Sequence, residues 1–148
     1  MFPQQHAYSS HAVSLRSDFN DTCPSHTPDC LPSIAAYASL VSEVERELFQ
    51  ANITSTATVP IIVSSDEVSP SWWSGVTERG WIRIDHIGEQ TEEKYGEWFI
   101  PILDIVIQSL AIGFVGTKSS TLSTVSAKRV QDWNGGLSKI LSWWPESS

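Results

Sequence analysis

The segment Gly116-Thr117-Lys118-Ser119-Ser120-Thr121 places small and hydroxylated residues between an apolar run and a mixed polar stretch. If a helix starts there, its first turn offers unpaired backbone N–H groups and the positive end of the helix dipole. That is a seat for a phosphate. Lys118 adds a charge, and Lys128 and Arg129 add more further along. The same residues also suit an ordinary strand-to-helix turn with a Ser or Thr cap. The segment lacks the spaced Gly-Lys-Ser ending of a P-loop, and it is not Gly-x-Gly-x-x-Gly.

A second set of residues is ionisable. Asp104 stands in an apolar stretch between Leu103 and Ile105. A carboxylate there must be paired or must face a ligand, because isolated burial costs several kcal/mol or forces protonation. A neighbouring base and a bound ligand are both open readings. Arg16 and Asp18 follow an alternating segment; a guanidinium donates a fixed fork of bonds to phosphate oxygens, but a surface ion pair uses the same two residue types. Ser65-Asp66-Glu67 puts two acids after a compact apolar run, where Glu67 could equally help cap the next helix. Asp85 and His86 close a further run. Cys23, His26 and Cys30 suggest metal ligands, yet a structural zinc site takes four and the sequence supplies no fourth nearby, so no metal is expected. There is no Gly-x-Ser-x-Gly elbow and no Cys–His nucleophile spacing, which leaves a hydrolase without support.

Elements that could position these residues follow from periodicity. His11 to Leu15 alternates and predicts a short strand. From Ser33 onward, Ile34, Tyr37, Leu40, Val41, Val44 and Leu48 fall at helical spacing, opposite Glu43, Glu45, Arg46 and Glu47. Val59 to Val63 suits a buried parallel strand. Ser69-Pro70 predicts a helix start, with Gly80 just past its end, and Trp81 to Ile84 a third strand. Ile87 to Gly96 reads as a polar loop and Glu97 to Leu110 as a long helix, with Pro101 tolerable only in its first turn. The stretch Ile100 to Val115 reads as a buried helix running into a strand, Gly113 to Gly116. Ser119 to Arg129 predicts a last helix, and the Trp-rich tail gives no assignment. Alternating strands and helices predict an α/β domain with a mainly parallel sheet, whose ligands gather at the carboxyl ends of the strands.

Composition narrows the classes. The chain has 148 residues, enough for one domain, with 41% hydrophobic and 18% charged residues, too apolar for a disordered tail. Seventeen acids against nine bases give a net charge of −8, which repels nucleic acid while leaving room for one phosphorylated ligand. No stretch reaches the roughly 20 apolar residues of a membrane span. Residues Met1 to Ser10 show no signal peptide and read as an unstructured segment ahead of a domain over 11–148. Cys23 and Cys30 could close a loop in an oxidising compartment or stay as thiols in a reducing one, and Asn20 and Asn52 head glycosylation sequons. Trp72-Trp73 and Trp143-Trp144 read as core or interface residues.

In this order, Leu15-Arg16-Ser17-Asp18-Phe19, Val63-Ser64-Ser65-Asp66-Glu67, Ile102-Leu103-Asp104-Ile105-Val106 and Gly113-Phe114-Val115-Gly116-Thr117 with Ser119-Ser120-Thr121 resemble successive motifs of GDP-fucose-dependent fucosyltransferases, the protein O-fucosyltransferases and α-1,6-fucosyltransferases. The resemblance spans roughly residues 11–136. It implies a Rossmann-like three-layer domain corresponding to the C-terminal, donor-binding half of a two-domain GT-B glycosyltransferase. It implies an inverting, metal-independent transferase that takes fucose from GDP-fucose to a protein or glycan acceptor, with no cofactor beyond the donor. Arg16 would hold the β-phosphate and stabilise the leaving group. Asp104 would contact guanine, Ser119, Ser120 and Thr121 would hold the diphosphate, and Asp66 would belong to the donor site. The family motif begins with His where this chain has Ser14. The family works in the ER and Golgi lumen. With only the donor half in this sequence, the chain alone is expected to lack useful transferase activity; the alternative is a non-catalytic nucleotide-sugar or partner-binding module derived from such an enzyme.

Overall fold

A computed structural model describes residues 12–17, 32–56 and 58–142, with residues 15–17 described by their backbone alone. Among the described residues, five strands form one parallel sheet: β1 (Val13–Ser17), β2 (Ile61–Ser65), β3 (Ile82–Arg83), β4 (Gly113–Thr117) and β5 (Leu137–Leu141). The helices between them are α1 (Ile34–Gln50), α2 (Pro70–Glu78), α3 (Thr91–Tyr95), α4 (Phe99–Ser109) and α5 (Thr121–Asn134). The strand order is β3-β2-β1-β4-β5. The chain winds outward from β1 in one direction, then crosses to β4 and winds outward in the other. This is the doubly wound, Rossmann-like α/β arrangement, and its switch point lies between β1 and β4.

Helix α1 shows why the local sequence takes this form. Ser33 caps it, its side chain accepting from the Ala36 N–H at 3.2 Å. Tyr37, Val41, Val44 and Leu48 line one stripe and are all buried. They meet Val13, Ile61, Val63 and Val115 in the main core, which also takes in Trp73 and Val76 of α2. A smaller cluster, Ala111, Phe114 and Val130, lies under α5.

Two glycines set how closely the helices approach the central strand β4. A Cβ on Gly113 would stand 2.7 Å from Val44 and 2.8 Å from Val13 side-chain carbons, on the α1 side. One on Gly116 would stand 2.6 Å from the Phe114 ring and 2.7 Å from Ser123 Cβ, on the α5 side.

Several predicted boundaries shift, and for a common reason. The apolar pattern of β1 and β2 stops at Leu15 and Val63, but the backbone ladder continues to Ser17 and Ser65. A ladder needs partner strands, not apolar side chains, so the polar carboxyl ends stay in the sheet. Arg16, Ser64 and Ser65 therefore lie within strands and not after them. Pro101 falls in the first turn of α4, as its chemistry requires. Ser69 occupies the N-cap position of α2 with Pro70 at the helix start, but its hydroxyl bonds Ser71 and makes no cap bond. The predicted polar loop contains α3, a five-residue helix with too few apolar residues to show a period. Strand β5 occupies part of the tail that carried no assignment.

Candidate functional site

The carboxyl ends of the strands form one polar edge, and the predicted residues divide into two groups along it. The first group surrounds a cleft of about 600 Å³ between the end of β2, α2, the β3–α3 connection and the start of α4. Asp66, Glu67, Arg83, His86 and Ile100 line it, with Trp73 as an aromatic wall. Arg83 lies over the Trp73 ring at 4.1 Å, and the indole N–H donates to the Glu67 carbonyl at 2.7 Å, so both are fixed in place. Asp66 is exposed. Glu67 takes the capping alternative: its carboxylate accepts from the Ser69 N–H at 2.7 Å, just ahead of α2. Asp85 is used in a turn, accepting from the Gly88 N–H at 3.0 Å.

Asp104 is buried, and the structure supplies it with a base. His86 Nε2 lies 2.8 Å from Asp104 Oδ1, and His86 Nδ1 lies 3.2 Å from Thr91 Oγ1. A neutral imidazole satisfies both contacts, receiving from the threonine hydroxyl and donating to the carboxylate. Of the two readings open in the sequence, pairing with a neighbouring base is thus present in the structure. The imidazole is also part of the cleft wall, so it stands between Asp104 and the cleft.

The second group is the β4–α5 turn. Ser119 has φ 68°, a left-handed conformation that a non-glycine residue adopts only at a cost. Ser120 is the N-cap of α5, its side chain accepting from the Ser123 N–H at 3.1 Å while its carbonyl accepts from the Thr124 hydroxyl. Thr121 is the first helical residue and is exposed. Behind the turn, Ser123 Oγ accepts from the Thr117 N–H at 3.0 Å, and the Tyr37 and Thr117 hydroxyls share a bond of 2.9 Å. The turn is anchored to both faces of the sheet. Lys128 and Arg129 do not reach it: Lys128 pairs with Asp132 at 2.7 Å, and Arg129 stacks on Trp133.

Arg16 lies between the groups. Its backbone pairs in register with Ser64, and β1 is flanked by β2 and β4. Asp18, Cys23, His26, Cys30 and Trp143-Trp144 lie outside the described residues. Among the described residues, no three His, Cys, Asp or Glu side chains gather as a metal would need, and no helix is long and apolar enough to cross a membrane.

Sequence reasoning did not anticipate a buried polar chain beneath this edge. Gln108 donates to Ser64 Oγ at 2.6 Å and accepts from Ser126 Oγ at 2.5 Å, joining α4, β2 and α5. The signal was present: Asp104 and Gln108 stand four residues apart, on one side of a helix otherwise rich in Ile, Leu and Val.

No protein-family model and no curated protein matches the chain. Among solved structures, the fold is similar to POFUT1 in its apo form, with 14% identity and a TM-score of 0.51. It is also similar to POFUT1 in complex with GDP-fucose in two crystal forms, both at 13% identity, with TM-scores of 0.51 and 0.50. Each match covers 88% of this chain and 41% of the POFUT1 chain. At such identity the likeness is one of fold, and it agrees with a Rossmann-like domain of the GT-B type. This chain spans well under half the length of the solved proteins it matches.

Proposed function

We propose that this chain is the donor-binding half of a fucosyltransferase-like enzyme, taking GDP-fucose at the carboxyl edge of its sheet. The observation that carries the reading is the placement of Arg16 at the switch-point strand, between the cleft beside β2 and the Ser119 to Thr121 turn after β4. The ends of β2 and β4 lie two strand spacings apart, about 10 Å, across the end of β1. The purine would enter the cleft near Asp66 and Asp104. The diphosphate would sit at the start of α5, ahead of the Thr121 and Leu122 N–H groups, where the helix dipole favours negative charge. Arg16 would offset the charge that accumulates on GDP as the bond to fucose breaks, the main electrostatic demand of an inverting transfer. Asp104 would accept from the guanine ring, and His86 would then have to share or yield its place on the carboxylate. The acceptor, a protein or a glycan, would be held largely outside this chain.

Calorimetric titration of GDP into the folded chain tests this reading. Binding is expected, weakened about tenfold or more by Arg16→Ala and by Asp104→Asn, each lost charged contact contributing about 1.5–3 kcal/mol. Absence of heat at millimolar GDP, from a chain shown to be folded, would overturn it. A second reading, a non-catalytic module with the same donor site, is favoured by Ser14, which is only 1% exposed where the resembling family carries a histidine. Acceptor-dependent release of GDP from GDP-fucose would exclude that second reading.

A further inference from the structure

Helix α4 is amphipathic with its sides reversed. The side turned into the protein carries the buried Asp104 and Gln108. Phe99, Ile102 and Val106 of the helix, and Leu110 at its C-cap, are instead 49%, 50%, 47% and 64% exposed. At about 100° per residue these four and Trp98, the N-cap, share one arc of roughly 120°, opposite Asp104 and Gln108, interrupted by the buried Ser109 where Asn134 of α5 covers the helix end. The expectation of a buried helix holds in part: Ile100, Leu103, Ile105 and Ile107 are half-buried, while Phe99, Ile102, Val106 and Leu110 are exposed. Tyr95 of α3 extends the strip, its ring centroid 6.5 Å from that of Phe99. At the other end, the Asn134 side chain donates to the Ser109 and Ala111 carbonyls at 2.8 and 2.7 Å. The end of α5, with the exposed Trp133, therefore lies beside the end of α4.

Area and charge together indicate what covers the strip. Aromatic side chains present about 150–250 Å² each, so four of them at half to four-fifths exposure plus three aliphatic residues approach about 800 Å². That is one partner's share of a standard protein interface, and more than a monomer ordinarily leaves open. The strip is also polar along its length. Glu92, Glu93 and Glu97 are exposed at the α3–α4 end, and Arg129, stacked 4.8 Å over Trp133, stands toward the other. Turned end for end, the same surface matches itself: the acids of one copy meet the arginine of the other, twice, about a two-fold axis. The net charge of −8 opposes approach only at long range, and salt at 0.1 M screens it over about 10 Å.

We propose that two copies of this chain associate through antiparallel α4 helices, with Ile102 and Val106 at the centre and Glu97 facing Arg129 of the other copy at each end. Sedimentation equilibrium of the full chain in physiological salt, from low to several hundred micromolar, tests it. A concentration-dependent dimer is expected. The exposed double substitution Ile102→Glu with Val106→Glu should weaken association at least tenfold while leaving the circular dichroism spectrum and unfolding midpoint near the parent. Glu97→Arg and Arg129→Glu should each weaken it, and the two together should restore it. A chain that stays monomeric throughout, a dimer indifferent to the glutamates, or a charge swap without rescue would each overturn the proposal.

Discussion

The two faces of the sheet are built from opposite materials. Toward α1 and α2, β1, β2 and β4 present Val13, Ile61, Val63 and Val115, which meet Tyr37, Val41, Val44 and Leu48 with few polar atoms between them. Toward α4 and α5, the alternate positions of the same strands present Ser14, Ser64, Phe114 and Gly116, and the helices answer with Gln108, Ser123 and Ser126. A parallel sheet covered on both sides ordinarily reads as continuous apolar strands. Here one face is a hydrophobic core, and the other sets a small apolar cluster beside buried polar groups, which are paired from Ser64 through Gln108 to Ser126 but leave the Ser14 hydroxyl without a partner among the described residues. Stability of the first face is spread over many dispersion contacts. The second depends on geometry, because Ser64, Gln108 and Ser126 must keep one another as partners.

The largest expected effect is therefore on the apolar face. Leu48→Ala removes a side chain that is fully buried under the sheet, and should destabilise the protein by about 2–5 kcal/mol, since the surroundings collapse only partly into the space. Urea unfolding followed by circular dichroism measures it. A loss below about 1 kcal/mol would mean that α1 is not the main prop of the fold and that the contrast between faces is overstated.

A smaller and more diagnostic effect belongs to Gln108. Truncation to Ala leaves the hydroxyls of Ser64 and Ser126 buried without their shared partner, at about 1–3 kcal/mol. Replacing all three together, as Ser64→Ala, Gln108→Leu and Ser126→Ala, should recover most of that loss, because the desolvation penalty goes with the polar atoms. If the triple variant is as unstable as Gln108→Ala, the face works by packing and the two sides differ less than their chemistry suggests. If it is stable yet binds GDP more weakly than the parent, the polar layer serves to hold the carboxyl edge in shape.

This contrast also explains which parts of the molecule could be read from the sequence. Helix α1 announces itself because one stripe of it meets a wholly apolar face, so Tyr37, Val41, Val44 and Leu48 keep a clean period. Helix α4 breaks the same logic. Its most buried positions, Asp104 and Gln108, are polar while Phe99, Ile102 and Val106 are exposed, so the apolar pattern locates the helix without telling which of its residues are covered. The β4–α5 turn was legible because cap chemistry is local: Ser120 does what its residue type predicts. The bond between His86 and Asp104 was not, since eighteen positions separate the partners and only the packing of α4 against the β3–α3 connection joins them. Strand β5 escaped notice because an edge strand with Ser138 and Lys139 needs little apolar character once β4 supplies its ladder.

That edge gives the smallest expected effect. Lys139 on β5 reaches back to α1, its Nζ 2.8 Å from Glu47 Oε1 and 3.0 Å from Glu43 Oε2. Hydrogen bonds to Glu47 and then Glu43 raise its pKa above the ordinary lysine value of 10.5. A raised pKa in the folded state means the contribution is complete below the unfolded lysine's pKa and fades as the pH climbs through the folded one. Lys139→Met should thus cost little at pH 7, less still in high salt, and nothing once the pH exceeds the lysine range, because solvent screens an exposed pair. Chemical unfolding at pH 7 in low and high salt, and again at high pH, follows all three. A salt-independent loss would shift the credit from the ammonium to the aliphatic stem lying along α1, making even this rim an extension of the apolar face.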